Sequence, residues 1–361
     1  MTSISGLVHM HGGLLHKRQL VEKGAHDRHL TWAVRKGEVR RPRRGWYSTW
    51  PPHDPRFIAV QVGGRLTGAS ALQSWGAWLW QEPRITVSVP KNASRLRRAS
   101  RVRVVWDPPE VAERGTNHSV GLRDALREAL LELPFEEAVA VLDWALYTEQ
   151  LGMGEIPALV EGLPRDVQGI VDWVDEKCQS IIESISRTRF RRAGHDVETQ
   201  VPVDRNKAID IVVDGVVGLE LDGRAFHQDS FEKDRCKDLE IIIEGRAAIR
   251  ASYQMVRHGW ERVLLAVETA ASNHRESGAS VGVGNSGPGP RPPRRGPRLW
   301  ALPCRRHPKP ELPPGADAGA GAGAGAAAGA GPGAGAGART GTSRRGRSRR
   351  SAPSRIATIV R

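Results

Sequence analysis

The sequence predicts an α/β protein: short N-terminal helices and a basic hairpin, then an α/β sandwich around a mixed sheet, then a disordered tail. Three observations predict it. Amphipathic patterns bounded by Gly24 and Gly37 run into a cluster of arginines between Arg40 and Arg44. Residues 170–271 read in order as helix, three β-type runs, helix, strand and closing helix, the alternation that builds an α/β layer architecture. From Ser272 the chain turns to Gly, Ala, Pro and Arg, with too few large apolar residues to offset the entropy of ordering.

At 361 residues the chain has room for two or three domains with real cores. No apolar run reaches the roughly 18–20 residues that a membrane span needs, and the first residues lack the pattern of a secretory signal. Three cysteines, Cys178, Cys236 and Cys304, lack metal-site spacing and fit a reducing cytoplasm. The net charge of +14 resolves into a head of +14 over residues 1–105, a body of −13 over 106–271 and a tail of +13 over 272–361. Head and tail can each attract polyanions. The acidic body repels an anionic substrate unless a cation intervenes.

The stretch GGLLHKRQLVEKG predicts one helix closed by Gly24, and AHDRHLTWAVRKGEV predicts the next, with Leu30, Ala33 and Val34 at core spacing. VRRPRRGWYSTW follows as a basic hairpin turning at Gly45. Helix, turn, helix and basic wing make a winged helix-turn-helix over residues 1–52. Its candidate DNA contacts are Arg28, Arg35 and Lys36 on the second helix, beside His29, and Arg40, Arg41, Arg43 and Arg44 on the wing. A small protein-interaction module with a solvated basic face is the competing reading. The head resembles the abortive-infection antitoxins of type IV toxin–antitoxin systems, and the resemblance continues through GRLTGASALQSWGAW and the strands at 84–90 and 101–106. It implies a DNA-binding, regulator-like module with an α/β extension over 53–108, and it leaves a toxin partner open. Residues 109–168 follow as a helical spacer, with two amphipathic helices split near Pro134.

The chemistry concentrates in 169–271. KAIDIVVDG carries Asp210, and VGLELDG carries Glu220 and Asp222 on one side of a strand whose other side is apolar. Unpaired buried carboxylates are costly, so a partner is expected. A hard divalent cation, Mg2+ (or Mn2+), takes oxygen ligands from one or two carboxylates and activates water for phosphodiester hydrolysis. These residues resemble the PD-(D/E)XK nuclease superfamily, in the branch of endonuclease-like proteins related to very-short-patch-repair enzymes. The resemblance rests on Glu183 in IIESISRTRF, Asp210, ELDG, His227 and DRCKD, over about residues 176–265. It implies a restriction-endonuclease-like α/β sandwich with Asp210 and Glu220 as metal ligands and Glu183 as the helical acid completing the pocket. Asp222 stands where the superfamily usually has lysine, which leaves His227 and Arg235 as candidates for the cationic role. Ala208 and Ile182 replace an arginine and a proline common among relatives. Asp234 and Asp238 read as a solvated face or arginine partners. A structural salt-bridge cluster with Arg235 or Lys237 is the competing reading of the acids.

The hairpin IDIVVDGVVGLELDG makes a geometric demand. A two-residue turn at Asp214-Gly215 pairs Val213 with Val216 and sends Asp210 and Glu220 to opposite faces. A three-residue loop Val213-Asp214-Gly215, which pairs Val212 with Val216, or another one-residue shift, returns them to one face. The function expected is a DNA-binding endonuclease hydrolysing phosphodiester bonds with a divalent metal. The alternative is an antitoxin-like transcriptional regulator with an inactive nuclease scaffold.

Overall fold

The computed structural model describes residues 3–97, 101–108, 111, 114–204, 207–223 and 231–280, with backbone alone at 204, 231–236 and 277–280. The head comprises helix α1 (Ile4–Met10), strand β1 (Leu14–His16), helices α2 (Lys17–Glu22) and α3 (Asp27–Arg35), and strand β2 (Trp46–Ser48). β1 pairs antiparallel with β2, and Arg40 bridges to Ser48 on the other side of β2.

The single helix expected over 12–24 is therefore two elements. Gly12 and Gly13 hold φ of +80° and +85°, outside helical space. Leu14 and Leu15 are both buried but in different cores, Leu15 with Leu20 and Leu30, Leu14 with Trp50 and Phe57. Successive residues point to opposite sides only in an extended chain. The helix starts at Lys17, where the Gln19 carboxamide oxygen accepts from the His16 N–H at 2.9 Å.

The next layer holds α4 (Pro55–Val62), β3 (Arg65–Leu66), α5 (Gly68–Ser74), β4 (Ile85–Pro90) and β5 (Val102–Asp107). Its sheet runs β3-β4-β5, antiparallel then parallel. Helices α6 (Leu122–Glu132) and α7 (Phe135–Tyr147) break at Pro134 as expected, and α8 (Ile156–Val160) and α9 (Arg165–Gln168) follow. α7 is buried without interruption from Glu137 to Leu146. Val139, Val141 and Leu142 join the core of this layer, and Ala140 joins that of the next. The helix is thus a shared wall, more than the spacer its amphipathicity suggests. Asp143 on it is fully buried and meets Arg187 at 2.9 Å and Ser184 at 2.6 Å.

The body holds α10 (Ile181–Arg192), β6 (Val197–Asp204), β7 (Lys207–Val213), β8 (Val217–Asp222), α11 (Phe231–Ile243), β9 (Ala247–Ser252), α12 (Tyr253–His258) and α13 (Trp260–Ser280). The sheet order is β6-β7-β8-β9, antiparallel except for the parallel β8/β9 pair across the α11 connection, so the sheet is mixed as expected. Ile211, Val213 and Leu219 face Ile185 and Phe190 of α10 and Val256 and Val263 beyond them. On the other face Ile209 and Val212 meet Ile241 of α11. A Cβ on Gly218 would stand 2.7 Å from Ile241, so only glycine lets α11 this close. α13 continues to Ser280, past the expected boundary at 272, and the rest of the tail, 281–361, lies outside the described residues. Among the described residues no helix is long and apolar enough to cross a membrane.

Candidate active site

The β7–β8 hairpin decides where the carboxylates go. Asp214 and Gly215 hold φ of +51° and +73°, and the Val216 N–H donates to the Val213 carbonyl at 3.1 Å, as in a two-residue turn. Yet Val217, not Val216, pairs with Val213. Val216 is the extra residue because its carbonyl accepts from Ala247 of β9 at 2.9 Å. The shift comes from Asp214-Gly215-Val216, one residue later than the three-residue loop Val213-Asp214-Gly215 weighed from the sequence. Its effect is to return Asp210 and Glu220 to one face of the sheet. The ladder ends at Ile211 opposite Leu219, Asp210 and Glu220 are the next residues beyond it, and both side chains reach Lys237 Nζ.

At that level the strands part. The Leu221 N–H donates to Asp210 Oδ2 at 2.8 Å, where a regular ladder would offer a backbone carbonyl. On β6, Thr199 pairs with Ile211 and Val201 with Ile209, and Gln200 between them holds φ of +50°. A left-handed non-glycine residue beside the acids is local strain of the kind that gathers at functional sites. Gln200 Nε2 donates to Glu183 Oε2 at 2.9 Å.

Glu220 is buried, with Oε2 at 2.5 Å from Lys237 Nζ, and the same ammonium stands 3.5 Å from Asp210 Oδ1. The other oxygen, Oε1, is buried with no hydrogen-bond partner among the described residues. Burial, then the charge of Asp210, pushes the Glu220 carboxyl up to about 7, against the pull of Lys237. Glu183 sits at the start of α10 and closes a capping arrangement: its oxygens accept from the Gln179 N–H at 2.9 Å and the Ser180 hydroxyl at 2.7 Å. Burial raises its carboxyl, and Asp210 adds to that rise.

Asp222 is committed elsewhere. Its carboxylate takes Arg250 of β9 at 3.2 Å, and Arg250 also reaches Asp238 at 3.0 Å. Asp238 is thus an arginine partner, one of the readings its position allowed. His227 lies outside the described residues, and Arg235 is described by backbone alone, so neither is placed against the acids. The cation that meets both carboxylates is Lys237, which the sequence raised only as a partner in a structural cluster. Its spacing on α11, facing ELDG across the crossover, is the signal that could have found it. Among the described residues no group of three or more His, Cys, Asp or Glu converges as a metal cage.

In the head, Arg28, Arg35 and Lys36 stand exposed on α3 around an exposed Trp32, with Lys36 Nζ 5.8 Å from that ring. Arg40, Arg41 and Arg44 are exposed on the hairpin, Arg41 over the Tyr47 ring at 5.6 Å. Arg43 differs: it is half-buried and lies against Gly63. His195 lies in the loop between α10 and β6, with Nδ1 at 3.1 Å from Asp214. No protein-family model matches the chain, and no curated protein matches it.

Proposed function

We propose that the body is a divalent-metal-dependent phosphodiesterase and that the head is a winged helix-turn-helix that brings it to double-stranded DNA. The observation that carries the reading is the fork at Asp210 and Glu220: two carboxylates set opposite each other on diverging strands, with a cation against both and one Glu220 oxygen unspent. Two carboxylates and an orphaned oxygen suit Mg2+ or Mn2+, which accept few protein ligands and keep water. Asp210 and Glu220 would hold the ion, whose chemistry is to lower the pKa of a water and neutralise phosphoryl charge. Lys237 takes the cationic role that Asp222 left open, donating to a non-bridging phosphate oxygen when substrate arrives. Glu183 and Gln200 fix β6 beside Asp210. The Leu221 N–H orients the Asp210 carboxylate.

On the head, Arg28, Arg35, Lys36 and the outward hairpin arginines present charge to the phosphate backbone. One observation favours the regulator reading instead. Arg250 pairs with Asp222, and Lys237 pairs with both Glu220 and Asp210, so these acids have protein partners without a metal. Calorimetric titration with Mn2+ separates the two. The nuclease reading expects binding by the full chain that Asp210→Asn removes, and a chain that takes up no Mn2+ favours the scaffold.

A further inference from the structure

A cleft of about 590 Å³ lies between the hairpin of the head and the β3-β4-β5 layer, a volume in the range of small-molecule sites. Arg43 and Arg65 line it, with Ser94, Thr116 and Asn117, and among the described residues no aspartate or glutamate does. Trp46, Val60 and Pro90 supply an apolar wall. The arginines differ in their commitments. Arg65 donates to the carbonyls of Arg114 and Val111, and Asp107 and Asp124, neither of them in the cleft, offset its charge. The Arg43 guanidinium has no hydrogen bond or ion pair among the described residues, although the residue is half-buried. Its Nη1 comes within 1.5 Å of where a Cβ on Gly63 would stand, so the guanidinium fills space that only a glycine leaves. A half-buried guanidinium with no protein partner is open to an anion. With no carboxylate among the described lining residues, that anion is one a ligand brings.

We propose that this cleft binds a phosphorylated small molecule of nucleotide size. The phosphoryl oxygens take the fork of Arg43, bidentate as guanidinium–phosphate pairs favour, with Arg65 held rigidly behind. Asn117 and Ser94 supply neutral hydrogen bonds, and the flat part of the ligand rests on the Trp46–Pro90 wall. The site stands apart from Asp210 and Glu220, and it does not depend on the phosphodiesterase reading.

Phosphate is also a feature of DNA, so the test separates the two sources. The full chain is titrated calorimetrically with AMP, GMP, adenosine, inorganic phosphate and a short duplex, alongside Arg43→Gln and Asn117→Asp, each checked for an unchanged unfolding midpoint. The expected result is binding of at least one mononucleotide, none of adenosine, and a loss of about tenfold or more in Arg43→Gln, the worth of one charge-assisted hydrogen bond. Asn117→Asp, which sets a carboxylate at the mouth, should weaken the nucleotide as well. Mononucleotide affinity indifferent to both substitutions overturns the proposal. So does binding of the duplex alone, with Arg43→Gln weakening only that, since the anion is then a backbone phosphate. Absence of binding by any probe overturns it too.

Discussion

Lys237 Nζ lies 2.5 Å from Glu220 Oε2, which joins helix α11 to the most buried acid of the body's sheet. The ammonium stands where opposing carboxylates most need a positive charge. This arrangement gives the buried carboxylate a counter-charge. It also ties the protonation of Glu220 to the stability of the fold.

The pH dependence follows with a definite sign. Glu220 titrates at about 7 in the fold, against an ordinary value of 4.5. Between those values the folded chain keeps a proton that the unfolded chain has lost. Stability is therefore fully present below pH 4.5, falls as pH rises towards 7, and levels off above. At 1.36 kcal/mol per unit, the fall is on the order of 3 kcal/mol. Urea unfolding across this window checks it, and Glu220→Gln should flatten this component of the profile. A wild-type profile identical to that of Glu220→Gln contradicts it.

Lys237→Met removes the counter-charge of a buried carboxylate. At pH 8, where Glu220 is ionised, it should cost about 1–3 kcal/mol. At pH 5, where Glu220 is protonated, the cost should fall to what the 3.5 Å contact with Asp210 contributes. Equal costs at both values would mean that Lys237 contributes packing alone.

Salt dependence distinguishes the arginines of the head. Removing Arg35, Lys36 or Arg44 should each lower the slope of log K against log salt by roughly 0.9 on duplex DNA. Arg43→Ala should leave the slope unchanged, because that half-buried side chain lies against Gly63. Fluorescence anisotropy at several salt concentrations reads both.

The Asp143–Arg187 pair joins α7 to α10 with both side chains buried. Asp143→Ala strands a guanidinium in the interior and should cost about 3–5 kcal/mol, whereas Asp143→Leu with Arg187→Met should recover most of it. A single substitution costing under about 1 kcal/mol contradicts a closed network there.

Much of this was legible in the chain. The strands at Ile85–Pro90 and Ala247–Ser252 and the break at Pro134 follow from periodicity and from proline chemistry, which act locally. Asp210 and Glu220 stood out because acids in apolar strands are costly. What local pattern could not supply was decided by distant partners. Val216 becomes the extra residue through Ala247, thirty-one positions away in the chain. Gln200 adopts its left-handed conformation where β6 must pass the fork, held by Glu183 on another element. Leu14 and Leu15 look like one apolar helix face until two separate cores claim them. Lys237 and Arg250 divide the acids between them by the placement of α11 and β9, which no spacing along the strand encodes.

The central claim is that Asp210 and Glu220 together support hydrolysis of a DNA backbone. Incubating the purified full chain with supercoiled plasmid, with and without magnesium, tests it most directly when Asp210→Ala and Glu220→Gln are run beside it. The account predicts conversion to nicked or linear plasmid by the wild type only with magnesium, and its loss in both variants with the fold intact. Plasmid left supercoiled by wild-type protein in magnesium and in manganese, or nicking that persists in Asp210→Ala, would contradict it.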